Sequence, residues 1–184
     1  TKTNEQALEA AIEKILTGTC LEELKELGVS SNGVSEPGEL YQNGKGYRIG
    51  SPNDFNKQFA IDEQFFWEFL ENTQKEELEK LQKQSDWKLK ILNRFDRMMK
   101  KYGVLHLLRK GLEVDDAHFT LFYQLPLASS SQKVKDNFES NKFSVTRQLR
   151  YSIDNPREEI DLVLFINGLP IVSMELKNHW TGQN

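Results

Sequence analysis

The sequence is poor in cysteine and histidine, and this limits the kinds of site that it can build. Cys20 is the single cysteine and cannot form an intramolecular disulfide, so we interpret it as a small buried hydrophobic residue and expect a cytoplasmic protein. Zinc sites need sets of Cys and His ligands, whereas His106, His118 and His179 are scattered along the chain. These scarcities exclude a disulfide scaffold and argue against a zinc centre.

Other absences narrow the function further. No apolar run reaches the roughly 18 residues of a membrane span, and the N-terminus lacks the regions of a signal peptide, so we expect no association with a membrane. The chain has no Gly-x-x-x-x-Gly-Lys-Ser/Thr loop for nucleotide phosphates and no Gly-x-Ser-x-Gly turn for a nucleophilic serine. We therefore expect neither ATP binding nor serine hydrolase chemistry in these residues.

Neither sign of charge dominates the chain as a whole. Lys and Arg number 24 and Asp and Glu number 28, which gives a net charge of −4. Residues 83–110 are an exception, because this stretch contains nine basic residues and only two acidic ones. This basic region is either a solvated helix face or a surface that follows phosphates.

The order of the hydrophobic patterns predicts the fold class. A chain of 184 residues is long enough for one domain with a substantial core, so we predict a single domain over residues 1–184. Helical periodicity covers residues 4–18, 62–84 and 86–102, whereas residues 28–58 are rich in Gly and Pro and predict an irregular loop. Short aromatic or β-branched runs follow Gly111 and predict strands. This order predicts a domain of the α/β class in the broad sense, that is, a mixed α+β domain, with its sheet in the C-terminal third.

The first helix is predicted to lie on the core. Asn4 is a plausible N-cap and Gly18 a plausible end. Its apolar side chains recur on one face, which we expect to be buried: Ala7, Leu8, Ala11, Ile12, Ile15 and Leu16.

Asn167 and Gly168 lie between two apolar runs and predict a β-hairpin whose arms also carry Asp161, Glu175 and Lys177. The length of the turn decides which side chains share a face. A two-residue turn places Asp161 and Glu175 on opposite faces, whereas a three-residue loop with a bulge brings all three charged residues together. The longer loop also collects the apolar residues on the other face, so we predict the bulged loop.

Two carboxylates that converge on a half-buried sheet face stay ionised at neutral pH only if a cation compensates them. Mg²⁺ suits such ligands, because it takes one or two carboxylates and completes its shell with water and substrate phosphate. Lys177 would then stabilise charge on the phosphoryl group or position the attacking water. The simpler alternative is that Glu175 and Lys177 form an exposed ion pair and Asp161 only begins a strand, and spacing alone favours it.

The pattern of Asp, hydrophobic strand, turn and Glu-x-Lys resembles the PD-(D/E)xK nuclease core. The stretches FSVTRQLRYS (143–152) and IDLVLFINGLPIVSMELKN (160–178) resemble more closely the N-terminal nuclease domain of the type I restriction endonuclease R (motor) subunit. The resemblance is specific over residues 141–184 and looser upstream. It implies a restriction-endonuclease-like fold, in which a central mixed sheet with a C-terminal catalytic hairpin is flanked by N-terminal and middle helices, and a Mg²⁺-dependent endonuclease that cuts double-stranded DNA.

The resemblance also implies roles for single residues. Asp161 and Glu175 would hold the catalytic Mg²⁺, and Lys177 would be the catalytic lysine. An acidic residue of the first helix contributes in some related nucleases, and Glu5 could match it.

Residues next to this motif are further candidates. Arg147 and Arg150 could contact DNA phosphate, but they could equally be a solvated edge or ion-pair partners, and their odd spacing places them on opposite faces of a regular strand. His179 and Trp180 follow the catalytic strand and are expected to line the mouth of the site.

Two departures from the family pattern stand out. Ile160 replaces a proline that carries no chemistry, and the chain stops at Asn184, before the helix with a Gln-xxx-Tyr motif that the family has. We therefore expect a fragment of a larger subunit, with ATP binding in missing motor domains and with specificity and methyltransferase subunits as partners. Two other functions stay open: a PD-(D/E)xK nuclease of repair or recombination, and a noncatalytic DNA-binding or assembly module with a relic site.

Overall fold

The computed structural model describes residues 2–29 and 43–177. The chain divides into two compact units: unit 1 comprises Thr1–Phe55, Phe143–Phe165 and Pro170–Asn184, and unit 2 comprises Asn56–Lys142 and Ile166–Leu169. Within the described ranges, no helix is long and apolar enough to cross a membrane. The assignment of residues 1–184 to a single domain stays a prediction.

The described residues form seven α-helices and eight β-strands. The helices are α1 (Lys2–Thr17), α2 (Leu21–Glu26), α3 (Glu63–Thr73), α4 (Lys75–Leu81), α5 (Trp87–Tyr102), α6 (Val104–Lys110) and α7 (Gln132–Glu139). The strands are β1 (Tyr47–Ile49), β2 (Phe55–Asn56), β3 (Ile61–Asp62), β4 (Leu112–Val114), β5 (Ala117–Phe119), β6 (Phe143–Arg150), β7 (Glu159–Ile166) and β8 (Leu169–Met174).

A four-stranded sheet is the centre of unit 1, with strand order β1, β6, β7, β8. β1 runs parallel to β6, with Tyr47 opposite Phe143, whereas β7 and β8 are the two arms of a tight hairpin. The sheet is therefore mixed, and the predicted α+β class with C-terminal strands is confirmed. β1 was not predicted, because it lies among the Gly and Pro residues of the 28–58 segment; residues 30–42 of that segment lie outside the described residues.

Apolar side chains hold unit 1 together on one part of the sheet. Leu149, Val163 and Phe165 are buried together, with Phe55 packed against them. The rings of Phe55 and Phe165 meet edge to face with their centroids 6.2 Å apart.

The ends of α1 agree only in part with the sequence analysis. The helix ends at Thr17, directly before Gly18 with φ of +89°, as predicted. It begins at Lys2, so Asn4 lies inside the first turn and is not the N-cap.

The prediction that α1 buries its apolar face is wrong. Leu8 is 47% exposed and Ile15 is 62% exposed, whereas Glu9, Glu13 and Thr17 are buried. These three polar residues recur every four positions, so α1 turns a polar stripe towards the interior of unit 1. The compensating partner of that stripe is described with the candidate site.

Unit 2 is mainly helical. The helix predicted over residues 62–84 is two helices, because Gln74 leaves the helical conformation and its side-chain amide binds the backbone N–H and C=O of Thr120 at 2.6 and 2.8 Å. Asp62 caps α3 as predicted, accepting from the backbone N–H of Phe65 at 3.1 Å. The predicted helix over residues 86–102 is confirmed as α5. The core of unit 2 is built from large buried side chains, among them Phe66, Phe69, Leu70, Leu78, Ile91, Phe95 and Leu107.

Candidate active site

The hairpin of β7 and β8 turns through two residues, so the predicted three-residue bulged loop is wrong. Strand β7 ends at Ile166 and β8 begins at Leu169. Asn167 and Gly168 have φ of +50° and +79°, the left-handed pair that defines a type I′ turn.

The turn is buried and held by several hydrogen bonds within unit 2. The side-chain amide of Asn167 donates to the backbone oxygen of Leu121 at 2.9 Å and to Oδ1 of Asn141 at 3.0 Å, and its Oδ1 accepts from the N–H of Lys142 at 2.6 Å. Asn167 is fully buried. These bonds fix the conformation of the hairpin at the end opposite its charged residues.

The two halves of the predicted motif meet at the open end of the hairpin. The Oδ2 oxygen of Asp161, which is half-buried on β7, accepts a hydrogen bond from the backbone N–H of Leu176 at 2.5 Å. Leu176 is the middle residue of the Glu-x-Lys segment, which lies beyond the end of β8 at Met174. Because this segment has left the strand, strict alternation of faces no longer decides where its side chains point.

Glu175 and Lys177 are exposed at this end of the hairpin. Among the described residues, no ion pair joins Lys177 to either predicted acid, so the simple exposed ion pair of Glu175 and Lys177 is not formed. The charge of Glu158 mainly, and that of Glu175 to a smaller extent, raise the pKa of the Tyr151 phenol. The three predicted residues are thus brought to one end of the hairpin, while their roles stay a prediction.

Glu9 is a buried acidic residue of α1 whose pKa depends in part on the charge of Asp161. Burial raises the pKa of Glu9, the hydrogen bond and charge of Arg147 lower it, and the negative charge of Asp161 raises it, with a net upward shift. Glu5 lies one turn earlier on the helix and is half-buried. The contribution of Glu5 to the site stays a prediction.

Arg147 is the buried partner of the polar stripe of α1. Its Nε lies 3.1 Å from Glu9, and its Nη1 lies 3.2 Å from Glu13 and 2.8 Å from Glu22. Its Nη2 donates to the backbone oxygen of Gln6 at 3.3 Å. Burial opposes the charge of the guanidinium, but the three carboxylates outweigh this effect and raise its pKa above the ordinary value.

This placement argues against the predicted contact of Arg147 with DNA phosphate. The side chain is 6% exposed and its donors are committed to carboxylates. Arg150, on the same strand, is 65% exposed and pairs with Glu159 at 3.1 Å. Arg150 therefore stays available for the phosphate contact, and that role stays a prediction.

Gln148, which follows Arg147 on β6, has an unusual backbone conformation. Its φ of +53° is rare for a residue with a side chain and interrupts the regular alternation of the strand. Four consecutive residues before it, Ser144 to Arg147, are buried. A strained backbone conformation at this point is typical of a functional site.

The acids near the hairpin fit Mg²⁺ in kind. The Oδ2 oxygen of Asp161 accepts the hydrogen bond of Leu176, and its Oδ1 accepts none from the described residues. Glu175 adds an exposed carboxylate two residues before Lys177. In residues 4–29 and 43–177, no three His, Cys, Asp or Glu side chains form a closed metal cage. An ion that takes one or two carboxylates and several waters suits this donor set better than zinc.

Part of the chain matches a known protein family. A family model described as the N terminus of the type I restriction enzyme R protein matches residues 43–184. No curated protein and no solved structure matches the chain. The matched region contains all four strands of the sheet and the whole hairpin, including Asp161, Glu175 and Lys177; His179 and Trp180 lie outside the described residues.

Proposed function

The chain belongs to the family of type I restriction enzyme R protein N termini, and on this premise we propose that it is a Mg²⁺-dependent endonuclease domain that hydrolyses phosphodiester bonds of double-stranded DNA. The contact between Asp161 and the backbone of Leu176 carries the proposal, because it joins the acid of one strand to the Glu-x-Lys segment of the next. The same family favours a restriction function over a repair function. Its partners would be the specificity and methyltransferase subunits, and ATP would act only on motor domains outside these residues.

Each residue has a separate part in the proposed reaction. Asp161 and Glu175 would hold Mg²⁺, which when bound supplies a Lewis acid for the phosphate and a more acidic water. The N–H of Leu176 fixes the Asp161 carboxylate in position. Lys177, exposed on the same segment, would place its ammonium against the phosphoryl oxygens, where negative charge develops during hydrolysis.

Alanine at Glu175 or Lys177 is expected to reduce DNA cleavage by the full gene product by about 100-fold or more, because each substitution removes a group that acts on the charge of the reacting phosphate. The assay follows linearisation of a supercoiled plasmid with the partner subunits, ATP and Mg²⁺. Both side chains are exposed, so the melting temperature should stay near that of the wild type.

Two matched controls make this result specific. Glu76 on α4 and Lys133 on α7 are exposed residues of unit 2, and alanine at either should leave cleavage unchanged. Full cleavage by the Glu175→Ala variant would instead support the noncatalytic assembly module. The observation that supports this alternative is that the described part of the chain has no group of three side chains that could hold a metal ion.

A further inference from the structure

Helix α5 carries a stripe of basic residues on the side opposite its buried residues. Lys90, Arg94, Arg97 and Lys101 recur at intervals of three and four positions, so they follow one side of the helix. The buried side is formed by Ile91, Leu92 and Phe95. This arrangement is ordinary for a surface helix, and what distinguishes it is the way in which the cations are engaged.

Two contacts at the start of the stripe fix how the following chain runs beside α5. Lys90 forms an ion pair with Asp115, and Nε of Arg94 donates to the backbone oxygen of Glu113 at 3.1 Å. Asp115 thus lies beside Lys90, and Glu113 lies beside Arg94, one turn further along α5. Residues before Glu113 are therefore expected beside the C-terminal half of α5. The next segment in that direction is the C-terminal end of α6, which also packs against α5.

The C-terminal parts of α5 and α6 consequently present cations that lack carboxylate partners. Arg97, Arg109 and Lys110 are exposed, and none of them forms an ion pair with the described residues. Lys101 lies over the ring of Tyr102, 4.8 Å from its centroid, and keeps its charge. We call Arg97, Lys101, Arg109 and Lys110 the α5–α6 cation surface.

The acids nearest to this surface do not neutralise it. Asp96 is already paired with Lys100 at 2.7 Å. The side chain of Glu113 is 76% exposed and lies 3.7 Å from Nδ1 of His118, which is not part of the surface. Arg94 bonds to a neutral backbone oxygen, so its charge adds to that of the four surface residues.

We propose that the α5–α6 cation surface binds the phosphate backbone of duplex DNA. This inference rests on the proposed nuclease function and adds to it a DNA contact made by unit 2, through residues other than the hairpin residues that would carry out hydrolysis. The contact is sequence-independent, since cations that reach phosphates read no base edges.

The spacing of the cations favours a continuous polyanion over a single phosphate. Arg97 and Lys101 are about 6 Å apart along the helix axis, and successive phosphates of one DNA strand advance by about 3.4 Å along the duplex. Cations on two packed helices can therefore meet several phosphates of one strand. A lone phosphate would need only one or two of them and a concave site.

The test measures binding of the full gene product to a fluorescent 30-base-pair duplex of arbitrary sequence, without Mg²⁺, over a range of salt concentrations. Arg97→Ala/Lys101→Ala and Arg109→Ala/Lys110→Ala should each lower the slope of log affinity against log salt by about 2, and weaken binding about 30-fold near 0.15 M salt. Lys75→Ala/Lys133→Ala removes two exposed lysines elsewhere in unit 2 and should change neither quantity. Arg97→Lys/Arg109→Lys keeps the charge and should preserve the slope.

Slopes equal to that of the control variant would overturn the proposal. The proposal would also be overturned if these variants lost binding to anionic phospholipid vesicles but kept their binding to DNA. That result would assign the surface to a membrane. The Glu175→Ala variant should retain the full salt slope. If the nuclease function failed, that variant would still cleave DNA, and the binding measurement would be unaffected.

Discussion

Replacement of Gly168 by alanine is expected to lower the free energy of unfolding by about 3–5 kcal/mol. Gly168 has φ of +79°, and a Cβ atom there would lie 2.4 Å from the backbone oxygen of Asp62 and 2.8 Å from the backbone nitrogen of Phe66. Both contacts are with backbone at the start of α3, which cannot rotate away as a flexible side chain would. Urea unfolding followed by circular dichroism measures the loss.

Gly103 provides a matched control for this prediction. It has the same φ of +79°, but a Cβ atom there would meet nothing within 4 Å. With ψ of +167°, Gly103 has a backbone conformation that residues other than glycine rarely adopt, so alanine there should cost only backbone strain, about 1–3 kcal/mol. Equal losses for the two variants would mean that the close approach of the turn to α3 contributes nothing to stability.

Replacement of Arg147 by methionine is expected to destabilise the protein by about 3–5 kcal/mol at pH 7. The substitution keeps much of the side-chain volume but leaves Glu9 and Glu13, both buried, without their cation. An unpaired buried carboxylate loses its hydration and gains no compensating partner. Urea unfolding of the variant and the wild type at neutral pH gives the difference.

The pH dependence of this deficit follows from the direction of the pKa shifts. In the wild type, burial raises the pKa of Glu13 above the ordinary 4.5, so the stability that its protonation contributes is present below 4.5 and is lost as pH rises through the folded-state value. Arg147 lowers the pKa of Glu9 and of Glu13, so its removal raises both further. The deficit should therefore be greatest at neutral pH and shrink as both carboxyl groups take up protons on acidification.

Arg150→Met isolates the effect of burial. Arg150 lies on the same strand and also has a carboxylate partner, Glu159, but it is 65% exposed. An exposed ion pair contributes little, so this variant should stay within about 0.5 kcal/mol of the wild type at both pH values. A deficit for Arg147→Met that is as small, or that is independent of pH, would contradict the buried charge cluster.

The sequence predicted those structural elements that are determined by residues adjacent to them in the chain. The Asn-Gly pair predicted the hairpin, and Asp62 predicted the start of α3. The type of turn was not predictable by the parity argument, because that argument assumed that Glu175 continues the strand. Since β8 ends at Met174, the Glu-x-Lys segment reaches Asp161 without a bulge.

The buried face of α1 was not predictable in the same way, because the residue that compensates its buried charges is far away in the sequence. Hydrophobic periodicity places apolar residues inside, and it holds when nothing elsewhere in the chain compensates a buried charge. Here Arg147 supplies the compensation from 138 positions beyond Glu9. The spacing of Glu9, Glu13 and Thr17 by four was the only signal in the sequence, and it became meaningful only with Arg147 beside it.

The left-handed Gln148 was not predictable from its residue type, because glutamine carries no preference for positive φ. It follows directly after Arg147, which is a buried partner of α1.

The interleaving of the two units along the chain has a consequence for biosynthesis. The polypeptide passes from one unit to the other after Phe55, Lys142, Phe165 and Leu169. On the ribosome, β1 cannot pair until β6, which begins at Phe143, has been synthesised. Unit 2 likewise lacks its hairpin turn until Leu169 has emerged. Nascent chains arrested before residue 143 should therefore remain sensitive to protease around β1, and protection should arrive late, once the hairpin is complete.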